Sequence, residues 1–293
     1  MRNSPLEGRV VVVTGAARGV GAALAREVAR RGAVPVLLGH EKSRLDQVAA
    51  GLPGPALTLE VDVTDASALR RAALTTRDRV GRPSAVIANA GVAEGGPFVS
   101  SDPQQWRRVI DVNLTGSAQT ARAFLPDLIA TGGYYLQIAS LASFGSAPLM
   151  SAYCASKAGV EAFAHALQAE VAHEGVGVGI AYLNWTDTDM VRDADRHTVL
   201  RELRAHMPPP ARRVHRVEAV AARVVRGLEC RRPSVYAPGW LRLVQPVRAA
   251  LPPVVVRVSR RHLPRLQAER ALNPTGPLGA GGRADREAAE RSG

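Results

Sequence analysis

At 293 residues and 46% apolar, the chain is long enough to bury one large core, which excludes a disordered or disulfide-stapled peptide class. Its two cysteines, Cys154 and Cys230, make no disulfide framework, and no His/Cys cluster has zinc-ligand spacing, so no metal is expected. The charge of +12 is confined to one region: residues 1–190 hold 17 basic and 17 acidic side chains, residues 191–293 hold 21 and 9.

Short β-branched runs alternate with segments of helical period. "RVVVVT" (9–14) reads as a strand, followed by a helix from Gly19 to Arg31. "AVPVLLG" (33–39), "ALTLEV" (56–61), "SAVIAN" (84–89), "GYYLQIAS" (133–140) and "VGVGIAYL" (176–183) read as further strands. Helices are expected at 43–51, 65–80, 104–130, 151–174 and 216–230, and "PSVYAP" (233–238) supplies a last edge strand. This order predicts an α/β fold: a doubly wound parallel sheet of about seven strands, Rossmann-like, flanked by helices. One domain is expected over residues 1–238. The four-valine run near the start is too short for a signal peptide, and no run reaches the ~18 apolar residues of a membrane span. A cytoplasmic location is the expectation.

"VVVVTGAARGVGAALA" places Gly15, Gly19 and Gly21 after the first strand and at the opening of a helix. Glycines there let the backbone turn tightly and approach a pyrophosphate, whose charge meets the helix N-terminus. The Gly-Lys-Ser/Thr ending of a nucleoside-triphosphate loop is absent, which argues for a dinucleotide over ATP.

The stretch "AYCASKAGV" holds Tyr153 and Lys157, one of only two lysines in the chain, with Lys42. A spacing of four brings both onto one helix face. An ammonium beside a phenol stabilises phenolate and lowers a pKa that is ordinarily about 10, as general acid–base catalysis requires. Lysine suits this role because it is a compact point charge, whereas arginine offers a planar fork.

The spacing TGxxxGxG (Thr14 to Gly21), "NAG" (Asn89, Ala90, Gly91), Asn113 in "DVNLTG", Ser140 at the end of the fifth strand and YxxxK resemble the short-chain dehydrogenase/reductase family, in order and over residues 8–238. The resemblance implies an oxidoreductase that moves hydride between a nicotinamide and a carbonyl or alcohol. Its catalytic set would be Asn113, Ser140, Tyr153 and Lys157, with Tyr153 as general acid/base, Ser140 orienting the substrate oxygen and Asn113 holding a water beside Lys157. The cofactor set would be Gly15, Arg18, Gly19, Val20, Gly21, His40, Asp62, Val63, Asn89, Ala90, Gly91 and Thr188, with Tyr153 and Lys157 shared. A non-catalytic cofactor-binding scaffold, or a membrane-surface interaction protein keeping the fold, is the alternative. Neither needs the four side chains together. Family members commonly assemble as homodimers or homotetramers through helices corresponding to 104–130 and 151–174.

An acidic residue ending the second strand would exclude a 2′-phosphate; here that position is Gly39, followed by His40, with Arg18 in the glycine loop. This favours NADP(H), with NAD(H) possible because Glu41 is near. Where the family carries Pro-Gly after the sixth strand, this chain has Leu183 and Asn184, and Asn is expected to supply the left-handed turn. Residues 189–215 read as a substrate lid, and Met150 and Trp185 as pocket lining for an apolar carbonyl or alcohol substrate.

Residues 239–272 form a basic amphipathic segment. Eight arginines and no acid lie between Arg231 and Arg265, and Pro246, Pro252 and Pro253 are expected to interrupt any long helix. Peripheral contact with an anionic membrane through 239–265 is one reading, and packing back on the body or a dimer contact is the other. Nucleic acid is disfavoured, since no RNA-binding signature or aromatic stacking series accompanies the arginines. The last stretch, 273–293, rich in Gly, Pro and charge, is expected to be disordered.

Overall fold

The computed structural model describes residues 4–268 and 272–292. Its strands are β1 (Val10–Thr14), β2 (Val34–Gly39), β3 (Leu57–Glu60), β4 (Ala85–Ala88), β5 (Glu94–Gly95), β6 (Tyr134–Ser140), β7 (Gly177–Leu183), β8 (Ser234–Ala237) and β9 (Gly276–Pro277). Seven of them make one parallel sheet in the order β3-β2-β1-β4-β6-β7-β8, the doubly wound arrangement expected. Each strand of that sheet falls inside the run that predicted it.

Alternation along β1 explains the two-sided core. Val11 and Val13 face one layer with Leu24, Val28 and Val224, while Val10 and Val12 face the other with Leu69, Phe124 and Leu128. The first layer is built by α1 (Gly19–Arg30) and belongs with α10 below. The chain then adds α2 (Lys42–Ala50), α3 (Ala66–Val80), α4 (Pro103–Ile110), α5 (Gly116–Thr131) and α6 (Ser151–Val171). The lid holds α7 (Asp189–Ala194), α8 (Thr198–Ala205) and α9 (Pro209–Arg212), and α10 (Val217–Glu229) returns to pack on α1. The C-terminal part carries α11 (Leu241–Val244), α12 (Leu251–Ala268) and α13 (Gly279–Ser292). Strand order reverses between β1 and β4, which opens a crevice at their C-terminal ends.

Three expectations need correction. The helix over 104–130 is broken by a π-helical turn at Asp111–Thr115, an extra residue that aims Asn113 inward. Pro252 and Pro253 do not interrupt a helix but start one: they occupy the first turn of the 18-residue α12, where a missing N–H costs nothing. The stretch 273–293 is not disordered over its described residues, 273–292. It pairs β9 antiparallel with β5, buries Leu278 to 1% exposure and continues as α13. Composition predicted disorder because the segment cannot bury itself; a groove on the body does the burying.

Candidate active site and cofactor cleft

The glycine loop is braced by the end of β4. Thr14 Oγ1 accepts from the Asn89 and Ala90 amides at 3.0 and 3.1 Å, and Asn89 Nδ2 donates to the Thr14 carbonyl at 3.0 Å. Two positions demand glycine. A Cβ on Gly21 would lie 2.1 Å from the Gly15 carbonyl oxygen, and one on Gly15, which has φ +64, would lie 2.8 Å from Ala90 Cα. No side chain caps the start of α1, so its first-turn amides are left for a ligand at the loop.

From this loop a cleft of about 1340 Å³, counted out to solvent, runs along the strand ends. Every predicted cofactor residue lines it, as do Ser140, Tyr153 and Lys157; Asn113 does not. At one end stand Gly39, His40 and Glu41. Arg18 is not free there: its Nε donates to Glu41 at 2.9 Å and its terminal nitrogen pairs with the same carboxylate. His40 Nε2 is buried without a protein partner, a polar atom awaiting one. Beside them, Asp62 accepts from the Thr64 amide at 2.8 Å and from Arg108 at 2.7 Å. Burial alone would raise the Asp62 carboxyl, but these bonds outweigh it and hold the group below the usual range. Val63 lines the wall next to it, packed with Val92 and Val112.

At the other end, Ser140 terminates β6, and its Oγ accepts from the Ala142 amide at 3.2 Å. Tyr153 and Lys157 share the inner face of α6, with Lys157 Nζ 5.7 Å from the Tyr153 ring centre and donating to the Ile138 carbonyl at 3.3 Å. Burial pushes the lysine down to about 8. Burial also raises the Tyr153 phenol, and a hydrogen bond with Ser140 opposes this only in part. Desolvation is the largest influence on the phenol here, with Ser140 acting against it.

Asn113 is fully buried, and its amide is spent on structure. Its Oδ1 accepts from the Val92 amide at 2.8 Å, and its Nδ2 donates to the Val92 carbonyl at 3.0 Å and to Ser156 Oγ at 2.9 Å. Gly91 separates it from Lys157: a Cβ there would lie 3.2 Å from Asn113 Oδ1 and 3.5 Å from Lys157 Nζ. Thr188 opens α7 and faces Gly19 across the cleft, where a Cβ would come 3.4 Å from its methyl.

Asn184 does not take the left-handed conformation expected; among the described non-glycine residues only Leu149 and Arg231 have positive φ. Its side chain instead donates to the Ala211 carbonyl at 3.0 Å, tying the lid to the end of β7. Neither Met150 nor Trp185, expected to line the pocket, is among the cleft-lining side chains: Met150 packs against the buried cluster of Ala93, Leu200 and Leu278, as Tyr153 does, and the Arg204 guanidinium lies 5.6 Å from the Trp185 ring centre. Two features were missed from sequence: Arg108, and the tail residues Leu278, Gly279, Gly281, Gly282 and Asp285 that line the cleft. The run "GAGG" ahead of "RADRE" was a faint signal for a closely packed helix start.

Sequence relatives of the chain are named as oxidoreductases and dehydrogenases. An uncharacterized oxidoreductase of Staphylococcus epidermidis is 32% identical over 188 residues, 64% of this chain and 82% of its own. Meso-2,3-butanediol dehydrogenase of Serratia marcescens is 31% identical over 185 residues, 63% of this chain and 74% of its own. Cis-4-hydroxycyclohexanecarboxylate dehydrogenase of Sinomonas cyclohexanicum is 35% identical over 188 residues, 62% and 75%. Residues 9–198 match the family model described as short chain dehydrogenase. With a glycine loop at the switch point of a parallel sheet and a Tyr-Lys pair at the far end of the same cleft, this chain belongs to the short-chain dehydrogenase family of NAD(P)-dependent oxidoreductases.

Proposed function

We propose that the chain interconverts a small apolar alcohol and its carbonyl compound with NADP(H), Tyr153 exchanging the proton on the substrate oxygen. The observation that carries this is the convergence of Ser140, Tyr153 and Lys157 on a cleft continuous with the glycine loop. The uncapped start of α1 and the unpartnered His40 Nε2 suit a dinucleotide phosphate and ribose. Gly15, Gly19, Val20 and Gly21 would hold the pyrophosphate, Asp62 and Val63 the adenine, and Asn89, Ala90, Gly91 and Thr188 the nicotinamide half. The dinucleotide supplies the hydride donor or acceptor. Tyr153, kept protonated by burial, donates to a carbonyl oxygen; Ser140 orients that oxygen; the Lys157 ammonium offsets the phenolate that remains.

NADP(H) is favoured because Gly39 presents no carboxylate and Arg18 with His40 lines the adenosine end. Glu41, which binds Arg18, keeps NAD(H) as the second cofactor. Assembly into a homodimer or homotetramer through α4, α5 and α6 follows from the family alone; light scattering reads it directly. Two relatives are named for dehydrogenation of hydroxylated compounds, which sets the starting panel. Alcohols and carbonyls are followed at the nicotinamide absorbance with both cofactors, in wild type and Tyr153→Phe. Turnover lost by at least ~100-fold in the variant supports the assignment, and retained turnover ends it.

A membrane contact is favoured by one surface. Leu241 is buried and Arg248 pairs with buried Glu161, so the basic segment is anchored to the body. On either side of Arg248, Leu243, Val247, Val254, Val256 and Val258 are exposed among Arg242, Arg257, Arg261 and Arg265. Exposed apolar side chains interspersed with arginines complement an anionic lipid surface. No helix among the described residues is long and apolar enough to cross a membrane. Co-sedimentation with vesicles containing anionic lipid, lost in Val254→Asp/Val258→Asp, supports the contact; equal recovery with neutral vesicles removes it.

A further inference from the structure

The family match ends at residue 198, yet the cleft is completed by a segment some eighty residues later. We infer that residues 276–285 form the outer wall of the active site: Leu278 shapes the substrate side, and Asp285 sets dinucleotide affinity by positioning Arg108 and Asp62. The inference rests on the oxidoreductase reading above.

Three separate tethers hold this wall. β9 pairs with β5, with the Thr275 and Leu278 amides donating to the Gly95 and Ala93 carbonyls at 2.8 Å each. Asp193 of α7 accepts from the Gly279 amide at 2.8 Å and from Arg283 at 2.7 Å, capping α13 from another element. Arg108 donates to both Asp285 oxygens, at 2.9 and 2.7 Å, and to Asp62 at 2.7 Å. Asp285 is only 4% exposed, so this bidentate pair is shielded from water.

The tethers place chemistry at both ends of the cleft. Leu278 is buried in a cluster with Ala93 and Leu200, against which Met150, Met190 and Tyr153 pack. An apolar side chain there meets the substrate beside the proton-exchanging phenol. At the middle, Gly281 faces Arg18, where a Cβ would come 3.3 Å from its Cδ. At the adenosine end, Asp285 fixes the guanidinium that orients Asp62. A dinucleotide along the cleft is thus enclosed between the glycine loop and the start of α13, with water excluded from its outer edge. Gly279 is required for the approach: with φ +76, its Cβ would lie 2.7 Å from the Met190 amide nitrogen.

The test compares wild type with Leu278→Ala, Asp285→Asn and a chain ending at residue 272. Affinity for NADP⁺ and NAD⁺ is measured by titration calorimetry, alongside substrate KM. Asp285→Asn should weaken dinucleotide binding about tenfold with substrate KM nearly unchanged. Leu278→Ala should raise KM for an apolar substrate severalfold with dinucleotide affinity unchanged, and the truncated chain should show both defects. A tail that merely stabilises the fold would not produce this split. Both point variants within about twofold of wild type in both constants, or both shifted alike, overturn the inference, whether or not the truncated chain folds. A wild-type chain that binds no dinucleotide instead sinks the oxidoreductase reading on which the inference stands.

Discussion

Lys157 Nζ lies over the face of the Tyr153 ring, 5.7 Å from its centre, and its one protein acceptor among the described residues is the Ile138 carbonyl at 3.3 Å. The ammonium is thus held beside the phenol by burial and one carbonyl, with no carboxylate among its partners in the described residues. A cation in that position is costly to the fold and useful to the chemistry.

Replacing Lys157 with methionine should stabilise the protein while abolishing turnover. The lysine falls from its ordinary 10.5 to about 8 in the folded chain, which corresponds to roughly 3 kcal/mol. Between those pH values the unfolded chain binds more protons than the folded one, so stability contributed by this group rises with pH. Its cost is full below about pH 8 and gone above about 10.5. Thermal unfolding should show Lys157→Met melting several degrees above wild type at neutral pH and the gap closing by about pH 10.

The direction of catalysis should depend on pH. Because burial raises the Tyr153 phenol, the group is a proton donor at neutral pH. Carbonyl reduction should hold its rate from about pH 6 to 8, while alcohol oxidation, which needs the phenolate, should climb as pH rises further. The two limbs belong to the coupled Tyr153–Lys157 pair. Initial rates in both directions across pH check this; an oxidation rate that falls with rising pH contradicts it.

Glu41 should set cofactor choice through Arg18. Releasing the guanidinium in Glu41→Gln frees a charge-assisted donor for a 2′-phosphate, and the NADP-over-NAD preference in kcat/KM should rise about tenfold. Arg18→Ala should lower it by a similar factor. Unchanged ratios in both variants would show that neither side chain reads the adenosine end.

Asn113→Ala should destabilise the fold by about 3 kcal/mol, since it strips partners from the buried Val92 amide and carbonyl and from Ser156. Denaturant unfolding measures the loss. If stability is unchanged while turnover collapses, the residue's role is chemical, and its bonds to Val92 and Ser156 contribute nothing to the fold.

Local rules made most of this protein legible without coordinates. The unbroken β-branched run of β1 and the strand runs after it marked the sheet, because a parallel strand covered by helices on both faces is apolar on both. The Gly15–Gly19–Gly21 loop and the Tyr153–Lys157 spacing were readable because a βα turn and one helical turn each lie within a few residues. What surrounds those motifs was not local. The grip of Asn113 on the Val92 backbone across the π-turn joins residues 21 apart in the chain. The burial that raises the Tyr153 phenol comes in part from Ala194, Leu200 and Leu278, far along the chain. The tail, with one large apolar side chain and four glycines between 276 and 282, has no period that says where it docks. Only the packed body decided that, by offering Leu278 an apolar socket, and Gly279 and Asp285 charged partners, that the segment could not make for itself.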